Sequence, residues 1–406
     1  MAKKNYSIRK PGLIPVCIFF IYTFVFFSCD RSEEKQLNKA IIQDLTSQLE
    51  YSIELLKSKN AYGKIFPLTA EGDEIVLVAS SDWNSGFYPG ILWKLYEITG
   101  KKSWGEEASF YSGLLEKGIL NDPVNYIGVK YFHGLANGYN ITSRPEYREA
   151  LLSATQTLLS VHNLQAGCIC TNNLASGQQT CRVTIESLLN IELLFWATKG
   201  TGDTKYRDIA IQHILKVMKD HFQKDNSIWE VVNYDCLTGQ IISKETNIGD
   251  SKSVVIAKDL AWALYGFTMA YRETRIPAFL EKAQSIADFI RNHPRLPADG
   301  IPYWNFDGVG IPVEERDASA AAIIAYSFFE LNELLENNGI YAISAIHIMN
   351  SLCSERYLSA VGENSGFLLK NCTWTDSVHV NHNVPLVYAD YFFLKAFQKK
   401  MNYKPN

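Results

Sequence analysis

Helical segments of two kinds alternate along this chain. Segments of the first kind carry a single apolar stripe, as in 277–292, where Phe279, Ala283 and Ile290 share one face and charged residues occupy the opposite face. Segments of the second kind are apolar around nearly their whole circumference. The first kind is predicted at 38–58, 104–116, 145–161, 204–222, 277–292 and 340–353. The second kind is predicted at 84–98, 126–139, 183–197, 254–272, 317–335 and 383–398.

This alternation strongly limits the possible folds. A helix with one apolar stripe belongs on the outside of a protein, whereas a helix that is apolar all round is buried. Six successive outer and inner pairs therefore predict an all-α fold, an (α/α)6 toroid of six helical hairpins that forms a single domain over 38–406. An open solenoid is disfavoured because no polar capping hairpin follows the last inner segment. At 226–246, the valines before the turn at 235–239 predict a small inserted β-hairpin.

The first residues have the pattern of a targeting signal. Four basic residues precede an apolar run at 13–27 that is too short to cross a bilayer comfortably, and Ser28 then precedes Cys29. The pattern is similar to a bacterial lipoprotein signal, which implies that 1–28 is removed and that Cys29 is lipidated. A plain secretory signal is the alternative. We expect 29–37 to form a charged tether and the protein to be lipid-anchored in the bacterial cell envelope, in the periplasm or at the outer-membrane surface.

Composition and cysteine spacing limit the partners. The formal net charge is −4 and runs of basic residues are absent, so we expect no nucleic-acid partner. The aromatic content of 13% suits a carbohydrate cleft as well as a large core. We predict no cofactor. Cys168, Cys170 and Cys181 fit no common zinc spacing, so we expect no metal there and instead a loop disulfide that uses Cys181.

The third inner segment places Glu186 in a nearly all-apolar helix. Burying an ionised carboxylate without a partner costs several kcal/mol, so a buried carboxyl group tends to keep its proton. An acid that holds its proton near neutral pH is what general acid catalysis requires. The structural alternative is a buried glutamate that bonds to a neighbouring helix end.

Other polar and aromatic residues fall at the starts of the inner segments. In a toroid these first turns surround a cleft at one end, where helix N-termini favour anions such as an acidic sugar. The candidates are Asp82, Trp83, Asn125, Tyr126, Glu186, Lys258, Arg316, Asp317 and His379–His382. Each has a structural alternative: Trp83 as a core residue, Arg316 in an ion pair with Asp317, and His379 as a solvated loop residue.

Several longer motifs follow one another in a recognisable order. They include SDWNSGFYPG at 81–90, AWALYG at 261–266, PYW at 302–304, RDASAAA at 316–322 and VPLVYADY at 384–391. These motifs resemble those of glycoside hydrolase family 88, the unsaturated glucuronyl hydrolases, over nearly all of the chain after the signal. The resemblance implies the same toroidal fold.

The resemblance also implies an unusual reaction. Polysaccharide lyases leave a C4=C5 double bond in the non-reducing uronic acid, and enzymes of this family hydrate it. An acid protonates C4, water adds at C5, and the hemiketal collapses to release the neighbouring sugar. The family uses an aspartate as the acid/base, and Glu186 stands at that position here.

Further positions depart from the family pattern. Asn125 and Tyr126 replace a histidine–aspartate pair, and Glu230 replaces the histidine of the hairpin. Ile248 replaces a glutamine, and Lys258 replaces an arginine of the fourth inner helix. The resemblance keeps Trp83 and Trp262 as platforms for a sugar face. With Glu186 as the catalytic residue, the predicted substrate-binding residues are Trp83, Asn125, Tyr126, Glu230, Lys258, Trp262 and Arg316.

Three hypotheses follow for function. The first is a glycosidase that acts on unsaturated uronic acid residues of lyase-generated oligosaccharides, with Glu186 as acid/base. The second is a carbohydrate-binding lipoprotein without catalysis, in which Trp83, Trp262 and Lys258 hold an acidic oligosaccharide. The third is a polysaccharide lyase, in which Asn125 neutralises the uronate and Tyr126 moves the proton. We favour the first because a carboxyl group is retained at the acid position.

Overall fold

The N-terminal part of the structure is one long helix. The computed structural model describes residues 17–59, 64–119, 122–174, 179–246, 255–308, 310–311, 313–336, 339–375 and 380–404. Helix α1 (Cys17–Ser58) runs through the predicted tether at 29–37, and the chain divides into two compact units after Asp44. Among the described helices, none combines the length and apolar character needed to span a bilayer. Signal removal, lipidation and the domain start at 38 stay predictions.

The second unit, Leu45–Asn406, holds the remaining helices and strands. Its helices are α2 (Phe87–Thr99), α3 (Lys102–Gly118), α4 (Ile127–Tyr131), α5 (Asn137–Thr142), α6 (Pro145–Leu159), α7 (Ser187–Asn190), α8 (Glu192–Thr201), α9 (Lys205–Asp220), α10 (Ala257–Thr274), α11 (Pro277–Arg291), α12 (Ala318–Leu334), α13 (Ile340–Leu352) and α14 (Val387–Asn402). Its strands are β1 (Lys64–Glu71), β2 (Glu74–Ala79), β3 (His162–Asn163), β4 (Cys168–Ile169), β5 (Thr180–Thr184), β6 (Val231–Asp235), β7 (Ile241–Glu245), β8 (Cys372–Thr375) and β9 (Val380–Val384).

The inner helices close into a ring. Helix α2 contacts the second inner helix, which contacts α7 and α8; α7 contacts α10, α10 contacts α12, α12 contacts α14, and α14 returns to α2. The predicted toroid is therefore confirmed. Every residue of α10 from Ala257 to Ala270 is buried, as expected for an inner helix. In the outer helix α11, by contrast, only the stripe with Phe279, Ala283 and Ile290 is buried.

Two inner helices differ from the prediction. The second is interrupted by a π-helical turn at Phe132–Ala136 between α4 and α5, a feature often found at functional sites. The third begins at Ser187 and not at 183, because Thr180–Thr184 forms strand β5 instead. The β-branched residues Val183 and Thr184 suit a strand that pairs with the valines of β6.

The inserted β-hairpin is confirmed, and it forms part of a larger sheet. Strands β6 and β7 pair antiparallel, and β5 joins them on the other side of β6. In this register Thr184 lies opposite Val231. The chain therefore leaves β5 and enters α7 directly beside the first residue of β6, and this exit places the site described next.

Candidate active site

Glu186 and Glu230 lie side by side at the end of the sheet. The backbone N–H of Ile185 donates to the carbonyl of Glu230 at 2.9 Å, which fixes the two chain segments together. Glu186 is partly exposed, yet its Oε2 is buried and has no hydrogen-bond partner among the described residues. Glu230 is buried. The sequence therefore pointed to two carboxyl groups that the fold brings together.

Asp259 adds a third carboxyl group that the sequence analysis missed. One carboxylate oxygen from each of Glu186, Glu230 and Asp259 lies within 4.8 Å of the other two. Asp259 is 4% exposed and stands in the first turn of α10, directly after Lys258. Burial, with Glu230 and Glu186 nearby, raises the pKa of Asp259 well above its usual range. The signal available in the sequence was the pair of charges at the start of a helix that is otherwise apolar.

Three ionised carboxylates at this spacing would repel one another strongly. Two unit charges 4.8 Å apart repel by about 3 kcal/mol at an effective dielectric constant near 20. Lys258 is buried beside the cluster, and its positive charge lowers the pKa of Asp259 in opposition to the other influences. One lysine offsets only part of the repulsion. A retained proton or a bound cation would offset the rest, and these three side chains are the described residues that could hold either.

Tyr126 reaches the cluster from the second inner helix. It has a φ of 54°, in the left-handed region that costs a tyrosine about 1 kcal/mol, and it directly precedes α4. Its hydroxyl lies 2.9 Å from Oγ1 of Thr184. Burial first, and then the charge of Glu186, raise the pKa of Tyr126, so its hydroxyl stays protonated. The adjacent Asn125 is exposed at the rim.

A close backbone contact sets the distance between α4 and α7. A Cβ added to Gly128 would lie 2.5 Å from the backbone oxygen of Asn190. The side chain of Asn190 accepts a hydrogen bond from the backbone N–H of Val129 at 3.1 Å. Glycine at 128 therefore lets α4 approach α7, and this brings Tyr126 to within reach of Thr184.

Aromatic rings form one wall beside these groups. Trp83 is partly exposed, and its ring lies 5.3 Å from Tyr126 and 6.4 Å from Tyr388 between centroids. Trp262 is only 1% exposed and packs against Tyr388 at 5.6 Å. Trp262 therefore belongs to the aromatic core behind Tyr388 and is not the open sugar platform that the sequence suggested. Of the two tryptophans, Trp83 is the one with an accessible surface.

Arg316 is held by protein partners other than Asp317. Its guanidinium pairs with Asp299 at 2.9 Å, donates to the carbonyl of Ile301 and lies 4.6 Å from the centre of the Tyr303 ring. The structural alternative of an ion pair with Asp317 therefore names the wrong partner: the carboxylate of Asp317 caps α12 and accepts from the backbone of Ser319 and Ala320. A role for Arg316 in substrate binding stays a prediction.

The cysteine prediction can be compared directly with the structure. A disulfide joins Cys170 to Cys181, the second of which lies in β5, so the predicted loop disulfide is confirmed. The thiol of Cys168 is free and lies 3.7 Å from Sγ of Cys181. Two further residues of the sequence analysis, Ile248 and His379, lie outside the described residues.

Comparison with known proteins places this chain in a family. No family model matches the chain. The chain is 34% identical over 390 residues to an unsaturated glucuronyl hydrolase of Formosa agariphila, covering 94% of this chain and 96% of that protein. It is 28% identical over 348 residues to an unsaturated glucuronyl hydrolase of Bacillus sp. strain GL1, covering 82% and 90%.

A solved structure gives the same result at the level of the fold. The crystal structure of an unsaturated glucuronyl hydrolase specific for heparin superposes with a TM-score of 0.83 and 32% identity, covering 89% of this chain and 97% of that chain. The chain thus shares its fold with this enzyme over nearly the full length of that chain. The chain belongs to the unsaturated glucuronyl hydrolases, glycoside hydrolase family 88.

Proposed function

We propose that this protein hydrolyses oligosaccharides that carry a 4,5-unsaturated glucuronyl residue at the non-reducing end. The single observation that carries the proposal is Glu186, a carboxyl group directly before α7 with one buried oxygen that has no hydrogen-bond partner among the described residues. Family membership supplies the reaction class, because the relatives are named as unsaturated glucuronyl hydrolases.

Glu186 can both give and take the proton that the reaction needs. As an acid it would donate its proton to C4, and positive charge would develop at C5 and the ring oxygen. Water then adds at C5 and returns a proton to the Glu186 carboxylate, which restores the enzyme. The hemiketal at C5 opens and releases the neighbouring sugar, so one water molecule is consumed in each turnover.

Groups around Glu186 suit an acidic sugar. Lys258 supplies a positive charge at the start of α10, where the helix dipole also favours an anion such as the uronate. Trp83 supplies an accessible ring for a sugar face, and the protonated hydroxyl of Tyr126 lies on the same side as Glu186. The Tyr126 hydroxyl is a hydrogen-bond donor that can orient a sugar oxygen or the attacking water.

The test is an absorbance assay on a mixed panel of substrates. Unsaturated oligosaccharides from heparin, chondroitin and algal or plant uronides are incubated with the purified protein, and the ultraviolet absorbance of the C4=C5 bond is followed. Loss of absorbance with release of the neighbouring sugar supports the proposal. Measurable binding without turnover on any substrate would instead support a carbohydrate-binding protein, and new absorbance from intact polysaccharide would indicate a lyase.

We also propose that Cys29 carries a lipid that anchors the protein in the bacterial cell envelope. The basic start, the short apolar run and Ser28-Cys29 support this proposal. Oligosaccharides released by lyases outside the cytoplasm would then meet the enzyme at a membrane surface.

A further inference from the structure

Three carboxyl groups from three separate elements meet at the proposed site. Glu186 lies in the turn between β5 and α7, Glu230 directly precedes β6, and Asp259 lies in the first turn of α10. Backbone hydrogen bonds hold these elements in place. The N–H of Ile185 donates to the carbonyl of Glu230 at 2.9 Å, and at the start of α10 the N–H of Ala257 donates to the carbonyl of Trp304 at 2.9 Å. The cluster is therefore a product of the tertiary fold and not of one flexible loop.

We propose that Asp259 is a positioning residue that shares a single proton with Glu186 and Glu230, so that Glu186 can present this proton to the substrate. The proposal rests on the proposed hydrolytic function. Its geometric basis is that one carboxylate oxygen from each of the three side chains lies within 4.8 Å of the other two. In addition, Oε2 of Glu186 is buried and has no hydrogen-bond partner in the described part of the chain. A shared proton gives such an oxygen a partner.

The charged groups around Asp259 favour a proton over full ionisation. Glu186 and Glu230 face it from the sheet side, and Lys258 is its neighbour on α10. Burial is the largest influence that raises the pKa of Asp259, and the two glutamates add to it, while Lys258 opposes them. The three carboxyl groups and Lys258 together carry a net negative charge when all four are ionised, and a retained proton reduces it.

Tyr126, Tyr388 and Asp317, which also interact with Glu186 or Lys258, bring no positive charge to the cluster. Tyr126 and Tyr388 both interact with Glu186, and the pKa of each is raised chiefly by burial, so both are neutral. Asp317 interacts with Lys258 and is itself acidic. Arg182 interacts with Tyr126 and pairs with Glu245 at 3.7 Å.

The shared proton gives Asp259 a defined part in the reaction. When Glu186 donates its proton to C4, the cluster is left with one proton fewer and one negative charge more. The proton released by the attacking water then returns to Glu186 and is again shared. No other reactant is required. Asp259 touches neither C4 nor the water in this scheme, and it acts only through Glu186 and Glu230.

The first test is the pH dependence of kcat for wild type, Asp259→Asn and Asp259→Glu. Loss of the shared proton should lower kcat of Asp259→Asn at neutral pH by about 10- to 100-fold with little change in KM. The alkaline limb of the pH–kcat profile of Asp259→Asn should move to lower pH by roughly one unit. In Asp259→Glu this limb should return part of the way to its wild-type position. Asp208→Asn, on the exposed face of α9, is the matched control. An equal loss at every pH with an unmoved limb would overturn the proposal.

The second test needs no substrate, so it separates this proposal from the proposed function. An acid whose pKa is raised by folding contributes stability that is present below its unfolded pKa and is lost as pH rises through its folded pKa. Asp259→Asn should therefore have a higher Tm than wild type by a few degrees at about pH 8, with the two converging near pH 4. A lower Tm at every pH would contradict the shared proton even if hydrolysis is confirmed.

A bound cation is the other way to offset the negative charge of the three carboxyl groups, and the same melting experiment detects such binding. Addition of Ca²⁺ or Mn²⁺ should leave the Tm of wild type and of Asp259→Asn equally unaffected. A rise in Tm for wild type alone would show that the three carboxylates bind a metal ion, and it would overturn the proposal. If wild type turns over no unsaturated substrate, the proposed function fails while the melting data still decide whether a proton is shared.

Discussion

The backbone N–H of Ile185 donates to the carbonyl of Glu230 at 2.9 Å, and this bond places the side chain of the next residue, Glu186, beside that of Glu230. It continues the β5–β6 ladder by one step beyond the strand pair Thr184–Val231. The acid of the proposed reaction is therefore held by a sheet that is inserted between helical hairpins. A rigid support of this kind matters because a displacement of about 1 Å at a reacting group can cost about 100-fold in rate.

Glu186→Gln should abolish hydrolysis while leaving binding of the oligosaccharide intact. Glutamine keeps the shape of the side chain but cannot donate the proton to C4, so kcat should fall by about 1,000-fold or more. The measurement is the loss of C4=C5 absorbance, with affinity followed by calorimetry. Unchanged turnover in this variant would show that Glu186 is not the acid.

Two further variants separate proton transfer from position. Glu186→Asp keeps the carboxyl group but moves it back by about an ångström, so an intermediate loss of roughly 100-fold is expected. Glu149→Gln, an exposed glutamate on α6, should leave kcat unchanged. If Glu186→Asp were as active as wild type, the site would tolerate the displacement, and the importance of the sheet support would be refuted.

The fold could be predicted from the sequence because burial imposes it on every helix. Alternation of one-stripe and all-round apolar segments gave the toroid, and Val231 and Val232 indicated the hairpin. Strand β5 could not be predicted, since Val183 and Thr184 run directly into the apolar segment of the following helix and only pairing with β6 decides their conformation. Asp259 was missed for a similar reason: its nearness to Glu186 depends on how α10 packs beside the sheet.

Lys258 should contribute to binding of the uronate through its charge. Lys258→Met should raise KM for an acidic oligosaccharide by roughly 10-fold or more, because a charge-assisted interaction of about 1.5–3 kcal/mol is lost. Lys258→Arg keeps the charge and should retain most of the affinity. Lys219→Met, on the exposed face of α9, is the control. An unchanged KM in Lys258→Met at low salt would exclude Lys258 from substrate binding.

Gly128→Ala should destabilise the protein by about 2–3 kcal/mol, because its Cβ would lie 2.5 Å from the backbone oxygen of Asn190 and would push α4 from α7. Chemical denaturation measures the change. Gly113→Ala is the matched control: a Cβ at Gly113, on the outer helix α3, meets nothing within 4 Å, so this variant should gain roughly 0.5–1 kcal/mol. Equal effects of the two substitutions would show that the contact with Asn190 does not limit helix packing.

The lipid anchor predicts where the protein is found after cell fractionation. Cys29→Ser removes the sulfur that would carry the proposed lipid, so the protein should move from the membrane fraction to the soluble fraction and lose incorporation of labelled palmitate. Cys17→Ser, within the apolar run, is the matched control and should leave both unchanged. Membrane retention of Cys29→Ser without label would mean that the apolar run itself, and not a lipid, holds the protein.

The disulfide between Cys170 and Cys181 should stabilise the strand that leads to Glu186. It closes a short loop with a sequence separation of 11, so Cys181→Ser should cost about 3 kcal/mol. Cys170→Ser should cost less, because the thiol of Cys168 lies 3.7 Å from Sγ of Cys181 and can replace Cys170 as its partner. Melting with and without reductant measures both effects, and mass spectrometry identifies the pairing. Cys353→Ser, at a free cysteine after α13, is the control. Equal losses for Cys170→Ser and Cys181→Ser, with a free thiol at Cys168, would contradict the replacement.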